Sequence, residues 1–233
     1  MCAARISPPY LELAFYVGKS EQVQGLVSAI DLLVASGASQ TGAVEYDLRS
    51  EAYRQEDHSL DEVKAAAGRC ESMRVQFQGA SQITPCAEQL EVDRGILLFR
   101  TEAEALCGDH AASRRGKRSV GAKAYRLFVA MADALDPLYG AISIEYSLER
   151  PDELRRDIRS LAFRTFYLSE SRLGQRLVAD ALNACGDGVY VERLRRGVYI
   201  SMSDAFNPKR REISSLDSQH RSVEVAKILL RAF

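Results

Sequence analysis

The segment GAKAYRLFVAMADALDPLYGAISIEYSL, residues 121–148, decides the fold of this chain. Apolar residues occupy nearly every side of a 3.6-residue period over residues 122–135, which predicts a helix covered by neighbouring elements. Asp136 and Pro137 end that helix. Apolar and polar residues then alternate, and one face of the predicted strand consists of Ile142, Ile144, Tyr146 and Leu148. A buried helix followed at once by a strand indicates that helices pack on a sheet.

The rest of the chain alternates between the same two patterns. Period-2 alternation and short apolar runs predict strands at residues 10–17, 43–48, 73–78, 95–101, 163–168, 189–194 and 198–202. Helical spacing predicts helices that begin near Ser20, Ser59, Asp152, Ser169 and Ser218. Polar residues 49–58 and the small and charged residues 102–119 predict surface connections. We therefore predict an α+β fold with a mixed sheet or sheets and helices on one face, either continuous or divided into two ferredoxin-like lobes.

Charge is unevenly distributed along the chain. Residues 1–108 hold 9 Lys+Arg and 16 Asp+Glu, a net charge of −7, and residues 109–233 hold 22 and 16, a net charge of +6. We therefore expect an acidic α/β lobe at 1–108, a basic connecting loop at 109–120 and a basic α/β lobe at 121–233. The alternative is one continuous domain in which the two charged segments complement each other.

Neither the apolar runs nor the cysteines indicate secretion or membrane insertion. No window of about 18 uninterrupted apolar residues is present, as a membrane-spanning helix would need. The N-terminal residues lack the apolar core of a signal peptide. Five cysteines at wide spacing fit no disulfide framework. We expect a cytoplasmic protein with reduced cysteines and no membrane partner; nothing in the sequence predicts its oligomeric state.

Common catalytic and cofactor motifs are absent from the sequence. It contains no Gly-x-x-x-x-Gly-Lys-Ser/Thr phosphate loop, no Gly-x-Gly-x-x-Gly, no His-Glu-x-x-His and no Gly-x-Ser-x-Gly. Cys107 and His110 would supply two zinc ligands, but no second pair follows at the usual spacing. We predict no cofactor and no metal site, and the sequence identifies no catalytic residue. Whether the protein is an enzyme stays open at this point.

Basic residues form clusters in the second half of the chain. Between Arg114 and Arg126 there are six cationic side chains and no acidic one. Such clusters attract an acidic protein surface or a phosphate backbone. The residues predicted to bind a partner are these cations and a tyrosine beside the helix-to-strand turn: Arg114, Arg115, Lys117, Arg118, Arg195, Arg196, Lys209, Arg210 and Tyr139. The alternative is that the basic residues only keep surface loops solvated.

A second set of charged residues is acidic. The polar faces of predicted strands carry Glu12, Glu45, Asp47 and Glu145. If those strands are neighbours, the carboxylates would converge on a Mg²⁺ or Ca²⁺ ion, which prefers oxygen ligands. The set would otherwise be an acidic docking face or the solvated side of a half-covered sheet.

Three functions compete on these observations. The first is a non-enzymatic cytoplasmic protein-binding module that recognises a partner protein through charged surfaces, of the antitoxin, immunity or regulatory-adaptor kind. The second is a nucleic-acid or nucleotide-phosphate binder that uses the basic C-terminal half, although a sequence pI of about 6.3 counts against it. Its stacking residues would be Tyr190 and Tyr199 on the hairpin faces. The third is a metal-dependent enzyme that uses the strand carboxylates.

Overall fold

A computed structural model describes residues 9–48, 51–57, 59–67, 72–78, 87–103, 114–144, 148–158, 164–202, 206 and 215–233. The strands in this part of the chain are β1 (Tyr10–Tyr16), β2 (Ser39–Leu48), β3 (Glu51–Asp57), β4 (Ser72–Gln78), β5 (Ala87–Asp93), β6 (Ile96–Glu102), β7 (Tyr139–Ile144), β8 (Thr165–Ser169), β9 (Tyr190–Arg193) and β10 (Gly197–Ser201). The helices are α1 (Gln22–Ala35), α2 (Leu60–Ala67), α3 (Arg114–Leu135), α4 (Pro151–Arg156), α5 (Glu170–Leu173), α6 (Gln175–Cys185) and α7 (Ser215–Leu229), followed by a 3-10 turn at Leu230–Ala232.

The strands form one ten-stranded sheet in the order β3-β2-β4-β5-β6-β1-β7-β8-β10-β9. The predicted α+β class is confirmed. The sheet is not mixed, however, because every described pairing is antiparallel. Helix α1 does not link neighbouring parallel strands: β4, β5 and β6 lie between β1 and β2. Strands from both charged segments join at β1 and β7, so one sheet crosses the predicted lobe boundary; the division into lobes stays a prediction.

Helices cover both faces of the sheet rather than one. On the first face, Leu13 and Phe15 of β1 pack in one core with residues of α1, α2 and α3. On the second face, Phe166 of β8 packs in another core with residues of α4, α6 and α7. Strands β8 and β10 are buried along their whole length, whereas β4 alternates between buried and partly exposed positions. Short buried strands such as TFYLS and GVYIS therefore lie between two helical layers.

Several predicted element boundaries differ from the structure. Residues 51–57 form β3 instead of a surface connection, and β5 was not predicted. Their sequences are polar, and antiparallel pairing with neighbouring strands compensates for their weak β-propensity. Helix α7 begins at Ser215, so the predicted cap Ser218 is a buried residue inside it.

Residues 121–148, the segment quoted at the start, fold largely as their pattern predicts. Helix α3 ends at Leu135, and β7 begins at Tyr139, three residues earlier than the predicted strand face. Ile142 packs in the first core, but Leu148 packs in the second, so the two do not share a face. Tyr146 lies outside the described residues. The predicted connecting loop at 109–120 is helical from Arg114 onward. Within the described ranges, no helix has the length and apolar character needed to cross a bilayer.

Candidate functional site

Charged residues from several connections meet at one end of the sheet, which we call the hairpin-end surface. The ends of five neighbouring strands are aligned here by the pairings Tyr16↔Ile96, Tyr16↔Tyr139, Tyr139↔Leu168 and Gly197↔Ser169. Strand β9 extends this row beside β10. From β6 to β9 there are five strand spacings, or about 24 Å. The surface comprises Lys19, Glu21, Asp93, Arg94, Asp136, Glu170, Arg172, Arg193, Arg195 and Arg196.

Most cations of the hairpin-end surface are paired but remain accessible. The Arg193 side chain is 71% exposed and donates to Glu170 at 2.6 Å. Arg196 forms an ion pair with Asp136 at 2.9 Å, so one predicted binding residue also contacts another part of the chain. Lys19 and Arg195 are exposed, and neither forms an ion pair with any residue that the structure describes.

Arg172 connects three chain segments beneath this surface. Its guanidinium donates to the Asp136 backbone oxygen at 2.8 Å, to the Glu21 carboxylate at 2.8 Å and, at 3.5 Å, to the backbone oxygen of Val17. The Asp136 carboxylate accepts hydrogen bonds from the hydroxyls of Ser169 and Ser171, each at 3.3 Å. The Asp-Pro stop predicted from the sequence is therefore the point at which α3, β8 and the β1–α1 connection are held together.

The predicted basic clusters do not form one patch. Arg114, Arg115, Lys117 and Arg118 occupy the first turns of α3. The other end of α3 leads into the hairpin-end surface at Asp136, and a 22-residue helix is about 33 Å long. This basic start is electrostatically unfavourable for the helix itself, because its first turn holds no acidic residue and a helix N-terminus already carries positive partial charge. Lys209 and Arg210 lie outside the described residues.

Tyr139 is not a surface anchor, contrary to its inclusion among the predicted binding residues. Its side chain is fully buried and its hydroxyl donates to the Glu149 backbone oxygen at 2.7 Å. Its ring stacks on Tyr16 with a centroid distance of 5.0 Å. A tyrosine that begins a strand between two helical layers is covered from both sides, so a partner cannot reach it.

The predicted acidic set does not converge on a metal ion. Strands β4, β5 and β6 separate Glu12 on β1 from Glu45 and Asp47 on β2, a separation of about 19 Å. Glu12 is only 3% exposed and accepts a hydrogen bond from Arg100 at 3.0 Å. Glu145 lies outside the described residues. In the part of the chain that the structure covers, no three His, Cys, Asp or Glu side chains are grouped to hold a metal.

A row of charged side chains crosses β4, β5, β6 and β1 on the partly exposed face of the sheet. Glu91 accepts hydrogen bonds from Arg74 at 3.2 Å and from Arg100 at 3.1 Å, and Arg100 also donates to Glu12. Glu12, Arg74 and Glu91 lie at polar positions of alternating segments, whereas Arg100 follows the apolar run 96–99. Their partnership depends on strand order and register, which the sequence pattern does not provide.

The hairpin tyrosines are engaged inside the protein. Tyr125 and Tyr190 both donate hydrogen bonds to the same oxygen of Glu192. The buried Tyr199 ring lies edge-on to both, with centroid distances of 5.0 Å to Tyr125 and 6.2 Å to Tyr190. Because Tyr199 is buried, it cannot stack on a base, so one of the two predicted stacking residues is removed.

The same tyrosines predict a loss of stability at alkaline pH. Burial, followed by the hydrogen bond to Glu192, raises the pKa of Tyr190 to about 12 and that of Tyr125 further. The folded state therefore retains phenol protons that the unfolded chain releases near pH 10. We expect the free energy of unfolding contributed by these groups to be intact below pH 10 and to fall as the pH rises through about 12.

Denaturant unfolding across this alkaline range, together with the absorbance of tyrosinate in the folded protein, measures the effect. The double variant Tyr125→Phe/Tyr190→Phe should lose less stability between neutral pH and pH about 12 than the parent protein, because it lacks the two titrating phenols. An equal loss in both proteins would contradict the assignment.

Comparisons with known proteins give only a weak structural similarity. No protein-family model matches the sequence, and no curated protein matches it significantly. Among solved structures, the chain is similar to the Pseudomonas aeruginosa T6SS protein PA0821, with a TM-score of 0.49 and 13% sequence identity. The similarity covers 95% of this chain and 73% of that chain. A similarity at this level does not indicate a shared function.

Proposed function

We propose that this chain is a non-enzymatic protein-binding module that docks an acidic surface of a partner protein on its hairpin-end surface. The observation that carries the proposal is that exposed cations from three separate connections meet there: Lys19 before α1, Arg94 between β5 and β6, and Arg193, Arg195 and Arg196 around the β9–β10 turn. Exposed charges arranged along one end of the sheet steer an oppositely charged protein and increase its association rate.

The mixture of charges favours a protein over a nucleic acid. The hairpin-end surface holds six cations and four carboxylates, and the carboxylates pair with Arg172, Arg193, Arg196 and Arg94. Phosphate binding depends on cations that replace counterions, and carboxylates already paired with those cations oppose it. A protein partner with both signs of charge can instead match the pattern, with Lys19 and Arg195 accepting new ion pairs.

Immunity and antitoxin proteins are the class to which we assign this module, because they act by binding another protein and require no catalytic group of their own. The proposal keeps the cytoplasmic location expected from the cysteine pattern. We also propose a second contact region for the partner at the basic start of α3, residues 114–118. This region lies about 33 Å from the hairpin end.

The proposal is tested by affinity capture from native lysate, with and without nuclease, at low and high salt. We expect one stoichiometric protein that survives nuclease treatment and whose recovery falls as salt screens the charges. Recovery of nucleic acid that disappears with nuclease would instead support the phosphate-binding alternative and contradict the proposed protein partner.

The start of α3 allows a prediction with two opposite effects. Replacing Arg114, Arg115, Lys117 and Arg118 together by Gln should slow association with the captured partner and weaken its salt dependence, because long-range attraction is lost. The same change should stabilise the folded protein by about 0.5 kcal/mol, because it removes positive charge from a helix N-terminus. Binding kinetics at two salt concentrations and denaturant unfolding measure the two effects; unchanged association would remove this region from the interface.

A further inference from the structure

A cleft lies between strands β5 and β6 and the segment that leads into α4. Its volume is about 200 Å³. The apolar part of its lining consists of Ile96, Leu98 and Leu148. Because this volume is below the usual range of about 300–1,000 Å³ for drug-sized ligands, the cleft fits a small molecule with a short aliphatic group.

Two guanidinium groups line the cleft and are held in place by carboxylates. Arg100 donates to Glu12 at 3.0 Å and to Glu91 at 3.1 Å through Nε and Nη1. Arg150 donates to Glu153 through Nη2. The side chains of Arg100 and Arg150 are 24% and 14% exposed. Among the described residues, no acceptor takes the remaining terminal nitrogen of either group, Nη2 of Arg100 or Nη1 of Arg150.

Arg150 also carries a buried donor that the folded chain leaves unsatisfied. Its Nε is buried without a hydrogen bond, although Asp152 Oδ1 lies 3.5 Å away. A buried donor without an acceptor costs about 1–3 kcal/mol, but a ligand in the cleft cannot reach this nitrogen. The donor that Arg150 offers to a ligand is therefore Nη1. Fixed guanidinium groups with free N–H donors are well suited to a carboxylate.

The rim of the cleft holds a carboxylate that can bind a cationic group of a ligand. Glu91 is occupied by Arg74 and Arg100, and Glu153 by Arg150. Asp93 has a 49% exposed side chain whose closest charged neighbour is Arg94 Nε at 3.6 Å, beyond hydrogen-bond distance. Arg94 forms an ion pair with this carboxylate but no hydrogen bond, so the carboxylate oxygens can still accept hydrogen bonds from a cationic group of a ligand.

We propose that this cleft binds a free aliphatic amino acid as its zwitterion. The ligand carboxylate lies between Arg100 and Arg150, its ammonium group faces Asp93, and its side chain packs on Ile96, Leu98 and Leu148. This combination matches the free donors, the free acceptor and the apolar lining at once. The cleft shares Asp93 with the hairpin-end surface, but none of the cations of that surface lines the cleft.

Calorimetric titration of the full chain tests the proposal with three probes of similar shape: L-leucine, isocaproate without the amino group, and isoamylamine without the carboxylate. We expect L-leucine to bind at least about tenfold more tightly than either analogue, a difference of about 1.4 kcal/mol. The absence of leucine binding up to about 10 mM, or equal binding of leucine and either analogue, would overturn the proposal.

Two variants separate the roles of the charged groups. Asp93→Asn should reduce leucine affinity about tenfold and leave isocaproate binding unchanged, because only the ammonium contact is lost. Arg150→Gln should weaken both ligands, and its melting temperature shows whether the fold is retained. The Asp93 side chain is half-exposed, and its ion pair is with the neighbouring exposed Arg94, so Asp93→Asn should fold. An Asp93→Asn variant with unchanged leucine affinity therefore overturns the assignment even if Arg150→Gln fails to fold.

Discussion

Gly197→Ala is expected to destabilise the protein by about 3 kcal/mol, because the added methyl group has no room between β10 and β8. A Cβ at Gly197 would lie 2.7 Å from ring carbons of Tyr167 and would overlap the backbone oxygen of Leu168. Neither group can move easily: Tyr167 is fully buried, and Leu168 belongs to the neighbouring strand. The expected cost therefore comes from shifted strands and lost packing in a buried part of the sheet.

Gly37→Ala is the matched control for this prediction. Gly37 has a φ of 95°, but nothing lies within 4 Å of its added Cβ. This substitution should cost about 1 kcal/mol from backbone strain alone. Denaturant unfolding measures both variants, and the midpoint should fall further for Gly197→Ala with little change in the slope of either curve. An equal loss in the two variants would show that crowding between β10 and β8 is not the dominant cost.

Arg172→Ala is expected to lower the free energy of unfolding by about 2–3 kcal/mol. The substitution removes the hydrogen bonds to the backbone oxygens of Asp136 and Val17 and leaves the Asp136 oxygen without its guanidinium donor. It also removes the ion pair with Glu21, which adds little because the Glu21 side chain is half-exposed. The main effect is the release of the α3–β7 turn from the β1–α1 connection.

Two further substitutions separate geometry from charge at this position. Arg172→Lys keeps the positive charge but cannot reach three acceptors with a planar fork, so it should recover less than half of the lost stability. Arg176→Ala removes an exposed arginine from the next helix and should change stability by about 0.5 kcal/mol or less. If Arg172→Ala behaves like Arg176→Ala in denaturant unfolding, Arg172 does not hold the segments together.

The elements that could be predicted from the sequence are those whose pattern reports burial directly. The apolar period of α3, the alternation of β1 and the pair of strands at β9 and β10 all agree with the structure, although Gly197 begins β10. Strand β3 could not be predicted because its polar residues gain their conformation from pairing with β2. The second layer of helices could not be predicted from the sequence. A short apolar strand has the same residue pattern whether helices cover one face of its sheet or both faces.

The candidate site depends on contacts between residues far apart in the sequence. Arg195 was identified from its cluster of basic residues. Lys19 and Arg94 are isolated cations in the sequence, and they lie on the hairpin-end surface only because of the strand order β6-β1-β7-β8-β10-β9. Strand order likewise explains why the predicted acidic metal site fails. Glu12 finds its partner in Arg100, 88 residues away, rather than in another carboxylate.

The association rate between this protein and its captured partner tests the central claim most directly, with two charge-reversal variants compared. Lys19→Glu/Arg195→Glu changes the hairpin-end surface, and Arg155→Glu/Arg156→Glu makes the same change in charge at exposed positions of α4. We predict that the first variant associates about tenfold more slowly at low salt and that the second stays close to the parent protein. Equal rates for the two variants, or no decrease in the first, would contradict binding through the hairpin-end surface.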